Sequence, residues 1–148
     1  MQVGAANGWT LVADRHFVAA YLELEARATA EYEREIVGKN SKLLAAVLRL
    51  VHEHIPSDPT DAKFRLGDAL GPRFRSWCRA KFHQRYRLFF RYNSNFKVVV
   101  YSWFNSRDNL RKAGSKNDPY SVFCQMLQAG KPPTDFGELL SYSAKESL

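Results

Sequence analysis

Cysteine is scarce in this chain: Cys78 and Cys124 are the two in 148 residues. Neither sits in a CxxC pair or a Cys/His cluster, which argues against a disulfide framework and a thiolate metal centre. Two reduced packing thiols fit a reducing compartment. The run His52-Glu53-His54 lacks the HExxH spacing, and histidines two apart on a helix point apart, so no metal is expected. No apolar run approaches the ~20 residues that a membrane helix needs. Residues 1–7 lack the basic, apolar and cleavage segments of a signal peptide. The expectation is a cytoplasmic chain, a single domain over 1–148, with no membrane partner and no cofactor. A chain of this length buries a core without staples.

The most informative absence is negative charge. From Ala69 to Arg107 there is no Asp or Glu. The same window holds Arg73, Arg75, Arg79, Lys81, Arg85, Arg87, Arg91, Lys97 and Arg107. These are nine of the 22 basic residues, leaving 13 against the 15 acidic ones elsewhere, so this segment carries the whole excess of +7. An ordinary solvated surface intersperses both signs. A concentrated cationic field fits a polyanionic partner, most often nucleic acid.

Periodicity places the segment in a fold. Gly8–Asp14 alternates and predicts a short strand, with Asp14 capping a helix. Phe17, Tyr21, Leu24, Ala28, Tyr32 and Ile36 form its apolar stripe, and Gly38 reads as the residue that ends it. A second helix starts at Ser41 with Leu44, Val47, Leu48, Val51 and Ile55 on one side and stops at Pro56. Trp77–Phe82, Arg85–Tyr92 and Lys97–Phe104 read as three strands, with His83-Gln84 and Asn93–Asn95 as turns. Asp118 caps a last helix with Pro119 in its first turn; Val122, Phe123, Met126 and Leu127 are its apolar face, and Gly130 ends it. Residues 134–142 suit a further short helical turn. The expected class is α+β: an antiparallel sheet, an N-terminal helical hairpin on one face and a C-terminal helix.

Alternation then sorts the strand residues. Cys78, Ala80, Phe82, Tyr86, Leu88, Phe90 and Tyr92 face the helices. Arg79, Lys81, Arg85, Arg87, Phe89 and Arg91 share the opposite face, expected to be open. Like charges on strands ~4.8 Å apart repel unless an anion neutralises them. A phosphate backbone would do so. RNA can also be cleaved there by its own 2′-OH, given a base, cations for the phosphorane and an acid. Lys81 and Arg87 are the candidates on the strands, with Tyr120, at the start of the last helix, near Arg111. Trp77 and Trp103 could stack on bases but read more simply as packed. His83 reads as a polar turn residue.

A set of motifs runs over most of the chain: Asn7-Gly8-Trp9, Lys42–Val47, Phe64-Arg65-x-Gly67 and Leu70-Gly71. It continues through Trp77-x-Arg79-x-Lys81-Phe82, the string Arg85–Tyr92, Trp103-x-Asn105 and Leu110-Arg111. Tyr120-x-Val122-Phe123, Met126-Leu127 and Pro132-Pro133-x-Asp135 complete it. It resembles the YhaV toxins, a branch of the RelE-like toxins of type II toxin–antitoxin systems. The resemblance implies a RelE-like fold and an mRNA interferase: a metal-independent endoribonuclease that blocks translation, with mRNA on the ribosome as its expected substrate and a 2′,3′-cyclic phosphate as product. It implies a PrlF-like antitoxin of the AbrB type, with operator DNA bound only as the toxin–antitoxin complex.

By position, the resemblance assigns catalysis to Lys81, Arg87, Tyr120 and Arg111. Arg79 stands where these toxins carry a lysine, and joins Arg85, Arg91 and Arg107 as RNA-binding cations. The turn at His83-Gln84 is shorter than usual for such toxins, so His83 has no counterpart. Two other readings stay open on the residues: a non-catalytic nucleic-acid-binding protein, and a ParE-like inhibitor of a protein target, which needs no strand-borne Lys/Arg cluster.

Overall fold

The computed structural model describes residues 1–144. A hairpin comes first, β1 (Gln2–Ala6) and β2 (Trp9–Ala13), around Asn7 and Gly8, both at positive φ (52° and 83°). Asn-Gly is a strong signal for such a turn, but alternation revealed only β2, and β1 was not expected from the sequence. The Asp14 carboxylate accepts the His16 and Phe17 amides and starts α1 (Arg15–Glu33), which buries Phe17, Leu24 and Ala28.

α1 stops earlier than its apolar pattern implies. Glu35 takes the left-handed position (φ 57°), and Tyr32 and Ile36 end exposed. Gly38 is instead the N-cap of α2 (Lys39–Arg49). The Glu31 carboxylate lies where a Cβ on Gly38 would be, 2.6 Å away, and accepts the amides of Asn40 (3.1 Å) and Ser41 (2.8 Å). α2 continues into a π turn (Leu50–His54) and a closing turn, α3 (Ile55–Ser57), which contains Pro56. Leu43, Val47, Leu50, Val51 and Ile55 are buried at plain helical spacing, while Leu48, which the sequence reading placed on the same side, is exposed.

β3 (Cys78–Phe82), β4 (Tyr86–Asn93) and β5 (Val98–Phe104) form the antiparallel meander. The sheet order is β1-β2-β5-β4-β3, and β2 pairs with β5 in parallel. The sheet is thus mixed rather than wholly antiparallel, because β2 enters the centre from the far end of the chain. One face packs on α1 and α2 through Leu11, Ala80, Leu88, Phe90, Val99 and Tyr101. The Tyr101 hydroxyl donates to Val51 O at 2.7 Å, tying β5 to the π turn.

The opposite face is not open along its length. α4 (Pro119–Gln128) and α5 (Phe136–Ala144) lie against it, with Phe123, Leu127 and Leu139 packed on Trp77, Phe89 and Val100. Phe123 stacks on Phe89 at 4.4 Å. Among the described residues no helix is long and apolar enough to cross a membrane.

Candidate active site

The β3–β4 register sets Lys81 directly opposite Arg87, and Arg79 opposite Phe89. The connection is three residues long. His83 and Gln84 both take positive φ (43° and 62°), so Arg85 belongs to the turn rather than to the strand, where alternation placed it. Arg87 is 8% exposed, while Lys81 is exposed and its ammonium has no partner among the described residues. The Arg87 guanidinium is held by the main chain, Nη1 donating to Gln84 O (2.8 Å) and Tyr86 O (2.9 Å). Arg79 Nη1 donates to Lys63 O (3.1 Å) and Arg65 O (2.9 Å).

α4 brings Tyr120 to these strands. Asp118 caps the helix, Oδ2 accepting the Tyr120 amide at 3.0 Å, and the ring meets Phe89 edge-on at 5.7 Å. The Tyr120 hydroxyl oxygen accepts from Arg79 Nε (3.0 Å) and Arg87 Nε (3.1 Å). The Arg111 guanidinium lies over the same ring, 5.0 Å from its centroid. Three cations from two strands and a loop therefore meet on one phenol. Two donors fill the two lone pairs of a hydroxyl, so the Tyr120 proton remains for an incoming acceptor.

The structure also supplies what the cationic window lacks. Asp118 pairs with Arg111 at 2.6 Å and accepts the Lys112 amide at 2.8 Å, and it is 3% exposed. The sequence marked Asp118 only as a cap; its second role depends on the 111–118 loop folding back. Asn105, 1% exposed, also escaped the sequence reading of the site, though it follows β5 immediately. Its Oδ1 accepts the Arg87 amide at 2.7 Å.

The remaining cations divide. Arg85 exchanges two bonds with Arg111, Nε to Arg111 O (3.1 Å) and Arg111 N to Arg85 O (2.9 Å), at the margin of the cluster. Arg91 is separated from Arg87 along β4 by Phe89, which Phe123 covers. Its guanidinium lies between the rings of Trp77 (5.9 Å) and Phe136 (5.5 Å) and donates to Thr134 O. Burial lowers its pKa, against the opposing pull of Cys78 and Asp135. Arg107 lies on the rim of a groove of about 630 Å³ beside α1, floored by Leu24, Leu43, Phe82, Tyr86 and Phe104 on the hairpin's other face. Trp77 is fully buried; Trp103 is partly buried and stacks with Phe123.

Burial pushes the Cys78 thiol up to about 11 in spite of nearby Arg91, Arg65 and Arg79, which makes it a packing group and a poor nucleophile. Among the described residues no cluster of three or more His, Cys, Asp or Glu is arranged to hold a metal ion.

The model of a family described as a toxin with endonuclease activity, of a toxin–antitoxin system, matches residues 11–144. The chain belongs to the YhaV toxin family. As a member it is an endonuclease toxin with an antitoxin as its partner. Toxin YhaV of Escherichia coli O6:H1 is 40% identical over 150 residues, covering 95% of each chain. Ribonuclease toxin YhaV of Escherichia coli K12 is 39% identical with the same coverage. Among solved structures, the toxin–antitoxin complex RelBE2 of Mycobacterium tuberculosis is similar at 17% identity and a TM-score of 0.46, covering 67% of this chain and 98% of that one.

Proposed function

We propose that this toxin is an mRNA endoribonuclease acting without a metal, by attack of a 2′-OH on the adjacent phosphate. The observation that carries this reading is the convergence of Arg79 and Arg87 on the Tyr120 hydroxyl beside Lys81, which has no partner among the described residues. Lys81 is the base for the proton of the 2′-OH. Arg79 and Arg87 offset the charge that builds on the phosphorane oxygens, where preorganised donors act most strongly. The Tyr120 proton goes to the departing 5′-oxygen, and the P–O5′ bond breaks. The products are a 2′,3′-cyclic phosphate and a free 5′-OH. Arg111 holds the Tyr120 ring in place, while Arg85, at the margin of the cluster, attracts a flanking phosphate.

The name of one relative, a ribonuclease toxin, supports RNA as the substrate. The reading extends to one domain working in the cytoplasm on translated mRNA at the ribosome. The antitoxin is then a PrlF-like chain of the AbrB type, and operator DNA is bound only by the pair.

The test is a translation extract in which mRNA ends are mapped after adding wild type, Lys81→Ala or Arg87→Ala. Wild type should produce new 5′-OH ends, and each variant should lose 100-fold or more in rate, within the ~10²–10⁴-fold range of a general acid–base group. Intact mRNA with wild type would sink the nuclease reading. Wild-type cleavage by both variants would sink the site. Naked mRNA, without ribosomes, decides ribosome dependence.

A further inference from the structure

The Asn105 side chain bridges the start of β4 and the loop that leads to Arg111. Its carboxamide makes three hydrogen bonds and each ends on the main chain. Oδ1 accepts Arg87 N–H at 2.7 Å; Nδ2 donates to Arg85 O at 3.2 Å and to Asn109 O at 2.8 Å. The first two ends lie at the start of β4, the strand of Arg87. The third lies in the turn just before Arg111. Arg85 O also accepts the Arg111 amide at 2.9 Å, so Asn105 and Arg111 share one carbonyl.

From there the bonds form a closed circuit. Arg111 pairs with Asp118 (2.6 Å), Asp118 caps the helix at Tyr120 N (3.0 Å), and Tyr120 Oη accepts from Arg87 Nε (3.1 Å). Arg87 N–H returns to Asn105. The 106–109 turn is itself braced, Asn109 Oδ1 accepting Ser106 N–H at 2.8 Å.

We propose that Asn105 is a positioning residue for RNA cleavage, its carboxamide setting the spacing between Arg87 and the Arg111 loop about Tyr120. The proposal rests on the reading of Arg87, Arg111 and Tyr120 as the cleavage site. A buried amide that merely ended β5 would need no such division of partners. Here every bond lands on a segment that carries, or leads into, a site cation. Loss of the Nδ2 donors would let the Arg111 loop move relative to Arg87, with the cations themselves still present. RNA binding, which depends on those cations, would be kept, and the geometry of the reacting groups would not.

The test compares Asn105→Asp with wild type and Arg87→Ala in the translation extract, at rising mRNA concentration, beside thermal melts. Aspartate keeps an acceptor for Arg87 N–H and turns oxygen lone pairs on the Arg85 and Asn109 carbonyls. The expected result is a kcat loss of about 10- to 100-fold, the scale of an ~1 Å misplacement, with apparent KM within about three-fold because phosphate contacts set affinity. Protonating the new carboxyl restores one donor, so the deficit against wild type should narrow as pH falls. Asn105→Ser, with a smaller and uncharged side chain, repeats the measurement if the aspartate variant does not fold, and should lose kcat by a smaller factor. A variant that loses melting temperature but keeps kcat per folded molecule overturns the proposal, as does a loss confined to KM. If Arg87→Ala is inactive and both Asn105 variants match wild type, this proposal alone fails. If Arg87→Ala matches wild type, the site reading fails and takes the proposal with it.

Discussion

Tyr120 shows how one side chain can be both core and chemistry. Its ring packs edge-on against Phe89, and its hydroxyl meets two guanidinium Nε donors. Tyr120→Phe separates the two roles. The ring contacts survive, so the fold should hold, with a stability change of about 1–2 kcal/mol from the lost hydrogen bonds. The departing oxygen loses its proton source, and cleavage should fall by about 10²-fold or more at unchanged RNA affinity. Single-turnover cleavage beside filter binding checks this; equal loss in both would make Tyr120 a binding residue. Arg91 marks the limit of alternation as a guide. It shares a strand face with Arg87, yet α4 crosses between them and its guanidinium ends half-buried among aromatic rings.

The α1–α2 hairpin is held by an element-scale device. Burial favours the neutral form of Glu31, yet the hydrogen bonds from Ser41 and Asn40 together outweigh it and hold its pKa at about 2. A depressed carboxylate contributes stability that is whole above its unfolded pKa and is lost as pH falls through the folded one. Here that window runs from about 4.5 down to about 2. Thermal melts should therefore show an acid-side loss across this range that Glu31→Gln reduces. Gly38 lets the carboxylate approach, since a Cβ there would meet it at 2.6 Å. Gly38→Ala should displace the same carboxylate and lower the melting temperature. Combined with Glu31→Gln it should cost less than the sum of the two, because both remove one interaction. Additive losses would refute the coupling.

At the scale of the molecule, the +7 charge is gathered in one segment, residues 69–107, of a chain whose remainder is slightly acidic. Among the described residues, Asp118 neutralises Arg111 within the site, Lys81 has no partner, and Arg79 and Arg87 are bound to neutral oxygens. Binding of single-stranded RNA by an inactive Arg87→Ala form should therefore weaken steeply with salt. About three to five phosphate contacts correspond to a slope of roughly −2 to −3.5 in log K against log salt. Lys81→Ala should make it shallower by about 0.7, the loss of one contact. A slope that Lys81→Ala leaves unchanged would remove Lys81 from the RNA path.

The sequence by itself determined β2, the three-strand meander, the presence of the helices and the sorting of the β3 and β4 side chains. Alternation in 77–92, the caps at Asp14 and Asp118 and the glycine after α4 are local physics, and local physics is readable in order. The YhaV family was legible too, because its motifs are strings. Tertiary structure decided what meets across distance. β2 pairs in parallel with β5, and the last helices cover a face that alternation left open. Tyr120 reaches Arg79 and Arg87 across 41 and 33 residues of chain. Asp118 and Asn105 acquire their site contacts only when loops fold back, and no residue pattern encodes that closure. Periodicity states which way a side chain points; only the packed chain states what it finds there.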